Sequence, residues 1–542
     1  MRSAAGTFKV TRPAVRRGGA ASPASGLRRE LVRAEHPFML HAIANCRSMC
    51  AALRSTGATA AGSYIVRAWT RREHGNRGGW SESEITMDFK QFYVGCLAHA
   101  SYLVGDGAEA AVIDPSRDVE MYLEEARARG LTIRWVLETH LHADFVSGHR
   151  ELAARTGATV GIGRKADAQY PHRDLSEGDE IRLGNVRLRA VETPGHTPES
   201  LSFLVYERAD DREPWAVLTG DTLFVGDVGR VDILSSRLPV TELAGLMYDS
   251  LHGKLLCLPD ETRVFPAHGA GSLCGRSIRP ETWSTIGQER TMNPALRPMS
   301  REQFVADITR DVPETPVYFL HSRDLNREGP ALRAGAEMPP MLTPREFAAA
   351  AREGAVMLDT RSPAAYGAGH AAGSINVGLD GQYASWVGTL VQPEDRLLVI
   401  AEPARAEEAV MRLARVGYEN VLGLLDGGVE RWKAEGLPVA SVPQEAADRA
   451  LRSGRRVLDV RRPGEWETLH LKGATLIPLA QLPARLGELD REAEWVVVCA
   501  SGYRSNMAAS LMQRAGFARV VNASGGMDAY LRMGLPVEVG GG

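Results

Sequence analysis

The chain contains an internal duplication. Val356-Met357-Leu358-Asp359-Thr360-Arg361 returns as Arg456-Val457-Leu458-Asp459-Val460-Arg461, a hundred residues later. At the same offset, His370-Ala371-Ala372-Gly373-Ser374-Ile375-Asn376-Val377 returns as His470-Leu471-Lys472-Gly473-Ala474-Thr475-Leu476-Ile477. Near the ends, Asp426-Gly427-Gly428-Val429 and Gly436-Leu437-Pro438-Val439 match Ser524-Gly525-Gly526-Met527 and Gly534-Leu535-Pro536-Val537. Each copy must close its own core, and about a hundred residues is a common size for a unit that does so. Short apolar runs alternate with helical patterns in both copies, as in a doubly wound α/β domain with a parallel sheet. The two copies are expected over 341–441 and 442–542.

At 542 residues the chain needs more than these two cores. A net charge of −3 gives no global attraction to nucleic acid or to an anionic membrane. No apolar run is long enough to span a bilayer. The six cysteines, at 46, 50, 96, 257, 274 and 499, follow no repeating spacing. That argues for single thiols in a reducing compartment, the cytoplasm, rather than for a disulfide framework. Residues 1–86 are rich in Arg, Ala, Gly and Ser, poor in acids and without apolar periodicity. They read as a disordered extension or a mis-set start, with Arg-rich organelle leaders as the other precedent. Cys46 and Cys50 there lack a partner pair at zinc spacing.

From Phe89 to about Ser322, short apolar runs such as Ala100–Val104, Trp135–Leu137, Leu201–Val205 and Val264–Pro266 alternate with turns. Helical patterns at Val119–Arg129 and Leu238–Leu251 interrupt them, which predicts a layered α/β sandwich within a domain over 87–325. Residues 326–340, with Gly329-Pro330 and Pro339-Pro340, read as a linker. Directly after Trp135-Val136-Leu137 comes Thr139-His140-Leu141-His142-Ala143-Asp144-Phe145-Val146-Ser147-Gly148-His149. Two imidazoles and a carboxylate at this spacing can converge on one metal ion from a single loop. Further motifs at strand ends are Thr193-Pro194-Gly195-His196, Leu218-Thr219-Gly220-Asp221 and Ala267-His268-Gly269.

In order and setting these four motifs resemble the metallo-β-lactamase superfamily, whose fold is an αββα sandwich. In detail they resemble its persulfide dioxygenases. Dinuclear glyoxalase II-like relatives carry a second-site histidine directly after the motif's aspartate, where this chain has Phe145. The resemblance implies one Fe(II) per chain held by His140, His196 and Asp221. A face of two histidines and one carboxylate leaves open positions for substrate and O2. His142, Asp144 and His268 then orient ligands or substrate, with His142 a further candidate ligand. Arg230, in Gly226-Asp227-Val228-Gly229-Arg230-Val231-Asp232, sits where that family keeps an arginine near the thiol-carrier end of its substrate. A salt bridge to Asp227 or Asp232 is its competing role. Cys274 reads as a buried thiol, with persulfide relay as the alternative.

In the second copy, Trp495-Val496-Val497-Val498 opens into Cys499-Ala500-Ser501-Gly502-Tyr503-Arg504-Ser505, followed by a helix from about Asn506 to Ala515. A sulfur at a helix N-terminus meets backbone N–H groups and the positive end of the helix dipole, which stabilises its charged, nucleophilic form. Gly502 lets the loop curl into an anion nest, and Arg504 offers a fixed positive charge. The loop resembles that of the rhodanese sulfurtransferases, whose Cys-to-Arg span of six residues is shorter than that of related phosphatases. In the first copy Ile400-Ala401-Glu402-Pro403-Ala404-Arg405 occupies this place with no nucleophile and no glycine, so that domain is expected to be inactive.

The whole arrangement resembles bacterial persulfide dioxygenase–sulfurtransferase fusions. It implies sulfide detoxification, with glutathione persulfide or a similar small persulfide, O2, and sulfite or thiosulfate as partners, no nucleic acid or membrane partner, and a homo-oligomeric state. The competing readings are a glyoxalase II-like thioester hydrolase, with zinc, fused to a rhodanese, and a non-enzymatic sulfur-carrier or sensing module.

Overall fold

In the computed structural model, the described residues are 87–540 apart from 236, 311, 313, 314 and 334–337. The expectations for residues 1–86 lie outside them. Two six-stranded sheets form the centre of the first domain. One orders its strands Met87–Val94, His99–Asp106, Glu109–Ile113, Thr132–Leu137, Thr159–Gly163, Arg173–Leu175. The other runs Ser284–Thr285, Arg263–Pro266, Ala216–Gly220, Leu201–Tyr206, Val186–Glu192, Glu180–Leu183.

Alternation along the strands separates the layers. Tyr102 and Val104 face the second sheet and meet Phe203, Leu218 and Phe265. Leu103, between them, faces outward to Tyr122 and Ala126 of the helix Glu120–Arg129 and to Leu152 of the helix His149–Thr156. On the far side, Val217 and Val264 pack under Leu243, Met247 and Leu251 of the helix Val240–Gly253. The result is helix, sheet, sheet, helix, the αββα sandwich expected.

The duplication is as plain in space as in sequence. The first copy orders its parallel strands Met341–Leu342, Val421–Leu425, Leu397–Ile400, Val356–Asp359, Ile375–Asn376. The second repeats the order with Gln444–Ala446, Val520–Ser524, Trp495–Val498, Arg456–Asp459, Thr475–Leu476. Local devices are duplicated too. Arg361 and Arg461 each clamp the aspartate two residues back, and His370 and His470 each stack on an aromatic ring four residues back, Tyr366 and Trp466.

One expectation changes. The segment read as a linker from Asn326 begins inside a helix, Tyr318–Glu328, and Asn326 is fully buried. The helix is polar enough to pass for a connection because its buried amide is satisfied by main-chain groups rather than by apolar neighbours. A single hydrophobic cluster contains Phe145 and Leu223 of the first domain, Tyr318 and Phe319 of this helix, and core residues of both copies, including Val399 and Val497.

Candidate functional site

Strand ends deliver the histidines and aspartates to one place, because both sheets stop at the same edge of the sandwich. Ligand atoms of His140, His196 and Asp221 lie within 4.8 Å of one another, and all three residues are buried. His196 Nε2 stands 3.4 Å and His140 Nε2 3.9 Å from Asp221 Oδ2. Each histidine is gripped from behind. His196 Nδ1 donates to the carbonyl of Arg230 at 2.7 Å. His140 Nδ1 lies 2.9 Å from the hydroxyl of Thr139, which in turn donates to Asp114 Oδ2 at 2.9 Å. With its proton committed at Nδ1, each imidazole presents an Nε2 lone pair inward.

The set fits a metal cation. His196 Nε2 and both oxygens of Asp221 are buried without a hydrogen-bond partner, an arrangement that is costly unless something else satisfies them. Burial pushes Asp221 up to about 6 and His196 down to about 4, so the pocket disfavours both charges on its own. A neutral imidazole and a carboxylate compensated by a cation are the metal-binding forms of these groups.

His142, Asp144 and His268 form a second group, also within 4.8 Å. His142 turns its Nε2 toward Asp114 Oδ1 at 3.2 Å and Glu138 Oε2 at 3.6 Å. Burial opposes its charging, yet those two carboxylates outweigh it and raise His142 to about 9. His268 Nε2 sits 3.5 Å from Asp144 Oδ2 and 3.6 Å from Asp221 Oδ1. Where a dinuclear site would need another donor, the fully buried ring of Phe145 stands 4.4 Å from that of His142.

Sequence reasoning missed several groups here. His99 starts a strand, and the antiparallel bridge His99–His268 brings it to the site. Glu138, pushed up to about 8 by burial against the pull of His142, receives the hydroxyl of Ser147 at 2.6 Å. Asn326 accepts from the Ser147 amide and donates to the carbonyls of His142 and Phe145, all at 2.8 Å. Asp114 carried one signal, an acidic residue at a strand end before proline. It takes a left-handed φ of 52° while its carboxylate receives both the amide and the hydroxyl of Thr139.

Of its two expected roles, Arg230 takes the internal one in this structure. Its guanidinium grips Asp232 at two points, both 2.7 Å, and also meets Thr315 at 2.9 Å. Cys274 is buried beside Asp221 and His268, where burial, Asp144 and Asp221 push its thiol well up. Cys499 lies at the end of its strand, fully buried, with the Gly502 amide donating to Sγ at 3.1 Å and Ser505 Oγ at 3.4 Å. Gly502 takes the left-handed φ of 97° that starts the helix Tyr503–Arg514, three residues earlier than expected. Ala500 and Ser501 form the outer turn, and Ser501 is exposed. Arg504, expected to offer its charge to an anion, is paired with Glu465 through two bonds of 2.7 Å.

Residues 94–268 match the metallo-beta-lactamase superfamily, and residues 343–435 and 442–533 each match the rhodanese-like domain. The human mitochondrial persulfide dioxygenase ETHE1 is 31% identical over 242 residues, covering 43% of this chain and 84% of that protein. The chain belongs to the metallo-β-lactamase superfamily. Two rhodanese-like domains follow the superfamily domain, so the chain is a fusion of the two folds. A hydroxyacylglutathione hydrolase of Methylococcus capsulatus is 35% identical over 241 residues, covering 40% of this chain and 87% of its own. A crystal structure of a metallo-beta-lactamase from Staphylococcus aureus has a TM-score of 0.57 and 32% identity, covering 62% of this chain and 98% of that one. Among the described residues no helix is long and apolar enough to cross a membrane.

Proposed function

We propose that this is a persulfide dioxygenase joined to a sulfurtransferase, acting in sulfide detoxification. The observation that carries the reading is the trio His140, His196 and Asp221, whose ligand atoms converge and in which His196 Nε2 and both Asp221 oxygens have no hydrogen-bond partner, with Phe145 where a second ion would need a ligand. The name of the human relative and the rhodanese-like domains support the same chemistry. The overall reaction is glutathione persulfide plus O2 plus water giving glutathione, sulfite and two protons.

Fe(II), held by His140, His196 and Asp221, would supply the capacity to activate O2 toward a soft sulfur anion. The protein's own groups do the rest. Thr139 and the Arg230 carbonyl fix the two imidazoles, Asp114 and Glu138 keep a proton on His142 Nε2, and Phe145 and Phe224 keep bulk water from the pocket. In the C-terminal domain the Cys499 thiolate attacks the outer sulfur of a second glutathione persulfide, glutathione leaves, and Cys499 then carries that sulfur as a persulfide. Sulfite attacks the outer sulfur, the S–S bond breaks, thiosulfate leaves and the Cys499 thiolate is restored. Gly502 N–H and the start of the helix stabilise that thiolate. Joining both catalysts in one chain raises the effective concentration of the shared sulfur species.

The test is O2 consumption by the Fe(II)-loaded protein given glutathione persulfide, with metal content determined. Iron bound without O2 uptake would sink the proposal. One observation favours a second reading, thioester hydrolysis. The group His142, Asp144 and His268 is compact enough for an ion, and a glutathione thioester hydrolase is among the relatives. That reading requires zinc or two ions per chain and thioester turnover without O2.

A further inference from the structure

The rhodanese-like domain without a nucleophile lies directly behind the metal-binding loop. The amide of Val146, next to Phe145, donates to the carbonyl of Arg415 at 2.7 Å. Arg415 closes the helix Ala406–Ala414 of that domain. Its guanidinium reaches back into the first domain and takes Asp118 at two points, Nε to Oδ1 at 2.8 Å and Nη2 to Oδ2, while Nη1 meets Cys96 Sγ at 3.1 Å. Arg415 and Asp118 are both buried. Beside them Arg117 pairs with Glu419 at 2.7 Å, and His321 and Ser322 face the carbonyls of Gly417 and Val416.

Asp118 ends the loop that starts at Asp114, and this loop is tied to the metal loop along its length. Pro115 accepts from Gly148 N at 2.9 Å and from Ser147 Oγ at 3.0 Å, and Ser116 bridges Ser147. Asp114 holds Thr139, and Thr139 holds His140 Nδ1. Arg415 therefore touches both loops at once, one by main chain and one by side chain. A two-point ion pair between buried groups fixes orientation in a way a single contact does not.

We propose that Arg415 is a positioning residue for the metal centre, and that the nucleophile-free domain persists as a structural wall of that centre. The proposal rests on reading His140, His196 and Asp221 as metal ligands. Removing the Arg415 fork frees the loops 114–118 and 139–147 to shift relative to each other, and the aim of His140 Nε2 shifts with them. Displacements well under an ångström at a ligand are enough to disturb a metal site.

The test uses the full-length chain loaded with Fe(II), carrying Arg415→Gln, Arg415→Lys or Asp118→Asn. Each is read by iron content, by the electron paramagnetic resonance spectrum of the ferrous–nitric oxide adduct, and by O2 uptake. Sulfur transfer by Cys499 in the same sample reports on folding of the remainder. Arg415→Gln and Asp118→Asn are each expected to broaden the spectrum and to lower kcat for O2 uptake about tenfold, with sulfur transfer within about twofold of wild type. Arg415→Lys is expected to recover part of the loss, and the double variant to be no worse than either single one. If Arg415→Gln fails to fold, Asp118→Asn, which keeps the shape of the pair, decides alone. Spectra and O2 uptake unchanged in a folded Asp118→Asn protein would overturn the proposal. A wild-type chain that takes up no iron would instead remove the metal-centre reading beneath it.

Discussion

Phe145 and His99 place their rings 4.1 Å apart, centroid to centroid, in the wall of the metal centre. Phe145 is thereby wedged between two imidazoles, those of His99 and His142. The substitution Phe145→His puts a donor there, beside Asp144, His268 and Asp221. Metal content, measured after equilibration with excess Zn(II) or Fe(II) and desalting, is expected to rise from one ion per chain toward two. A stoichiometry still at one would show that Phe145 is not what limits the count.

Thr139 is the hinge between Asp114 and His140. Thr139→Val keeps the shape but removes the hydroxyl that holds His140 Nδ1. Loss of such an outer hydrogen bond to a metal-ligating histidine typically costs about 10–100-fold in metal affinity. Competition with a chelator is the measurement. Affinity within about threefold of wild type would mean that Thr139 does not set the His140 tautomer.

The second centre is separable by mutation. Cys499→Ser is expected to abolish thiosulfate formation from sulfite while O2 uptake continues. Gly526→Ala is expected to act in the same direction without touching the sulfur. Gly526 takes a left-handed φ of 54°, and a methyl group there would collide with the carbonyls of Cys499 and Ala500. Those carbonyls accept from the amides of Met527 and Asp528 at 2.8 and 2.9 Å, so the loop cannot yield without losing two bonds. Sulfur transfer is expected to fall at least about tenfold, in line with the cost of over a kcal/mol for a buried polar group left unsatisfied. Retained transfer in either variant would point to another thiol or to a more pliant loop.

Tyr503 ties the same loop to the first rhodanese-like copy by donating to the carbonyl of Gly378 at 2.6 Å. Tyr503→Phe removes one hydrogen bond, worth about 1 kcal/mol. Amide exchange at 502–505 is expected to speed up by roughly fivefold, with little change across the first domain. Unchanged exchange at these amides would show that the contact does not hold the loop.

Strand positions were legible because buried strands leave short apolar runs between turns, which gave a layered α/β sandwich, while the αββα order came from the family resemblance. The strand, loop and helix around Cys499 were legible because they are adjacent in the chain. Side-chain partners were not. Arg230 and Arg504 could each face a ligand or a carboxylate. The partners they take, Asp232 two residues on and Glu465 thirty-nine residues back, follow from folded geometry rather than from composition. His99 and Asn326 escaped notice for a related reason. Each serves a site built by chain segments far from its own, and neither sits in a pattern that marks it.

The turn that carries Arg415 has a consequence for how such a chain can change over generations. The loop after Ile400 carries no thiol, and its residues Glu402, Pro403 and Ala404 are exposed. The turn Arg415–Tyr418 in the same domain has less latitude, since its carbonyls and the Arg415 side chain are bonded to groups outside that domain. The first copy should therefore tolerate variation unevenly, loose at the Glu402–Ala404 edge and strict on the side that packs against its neighbour. Cutting the gene between the two folds would strip the loops at 114–118 and 139–147 of contacts that the first copy supplies.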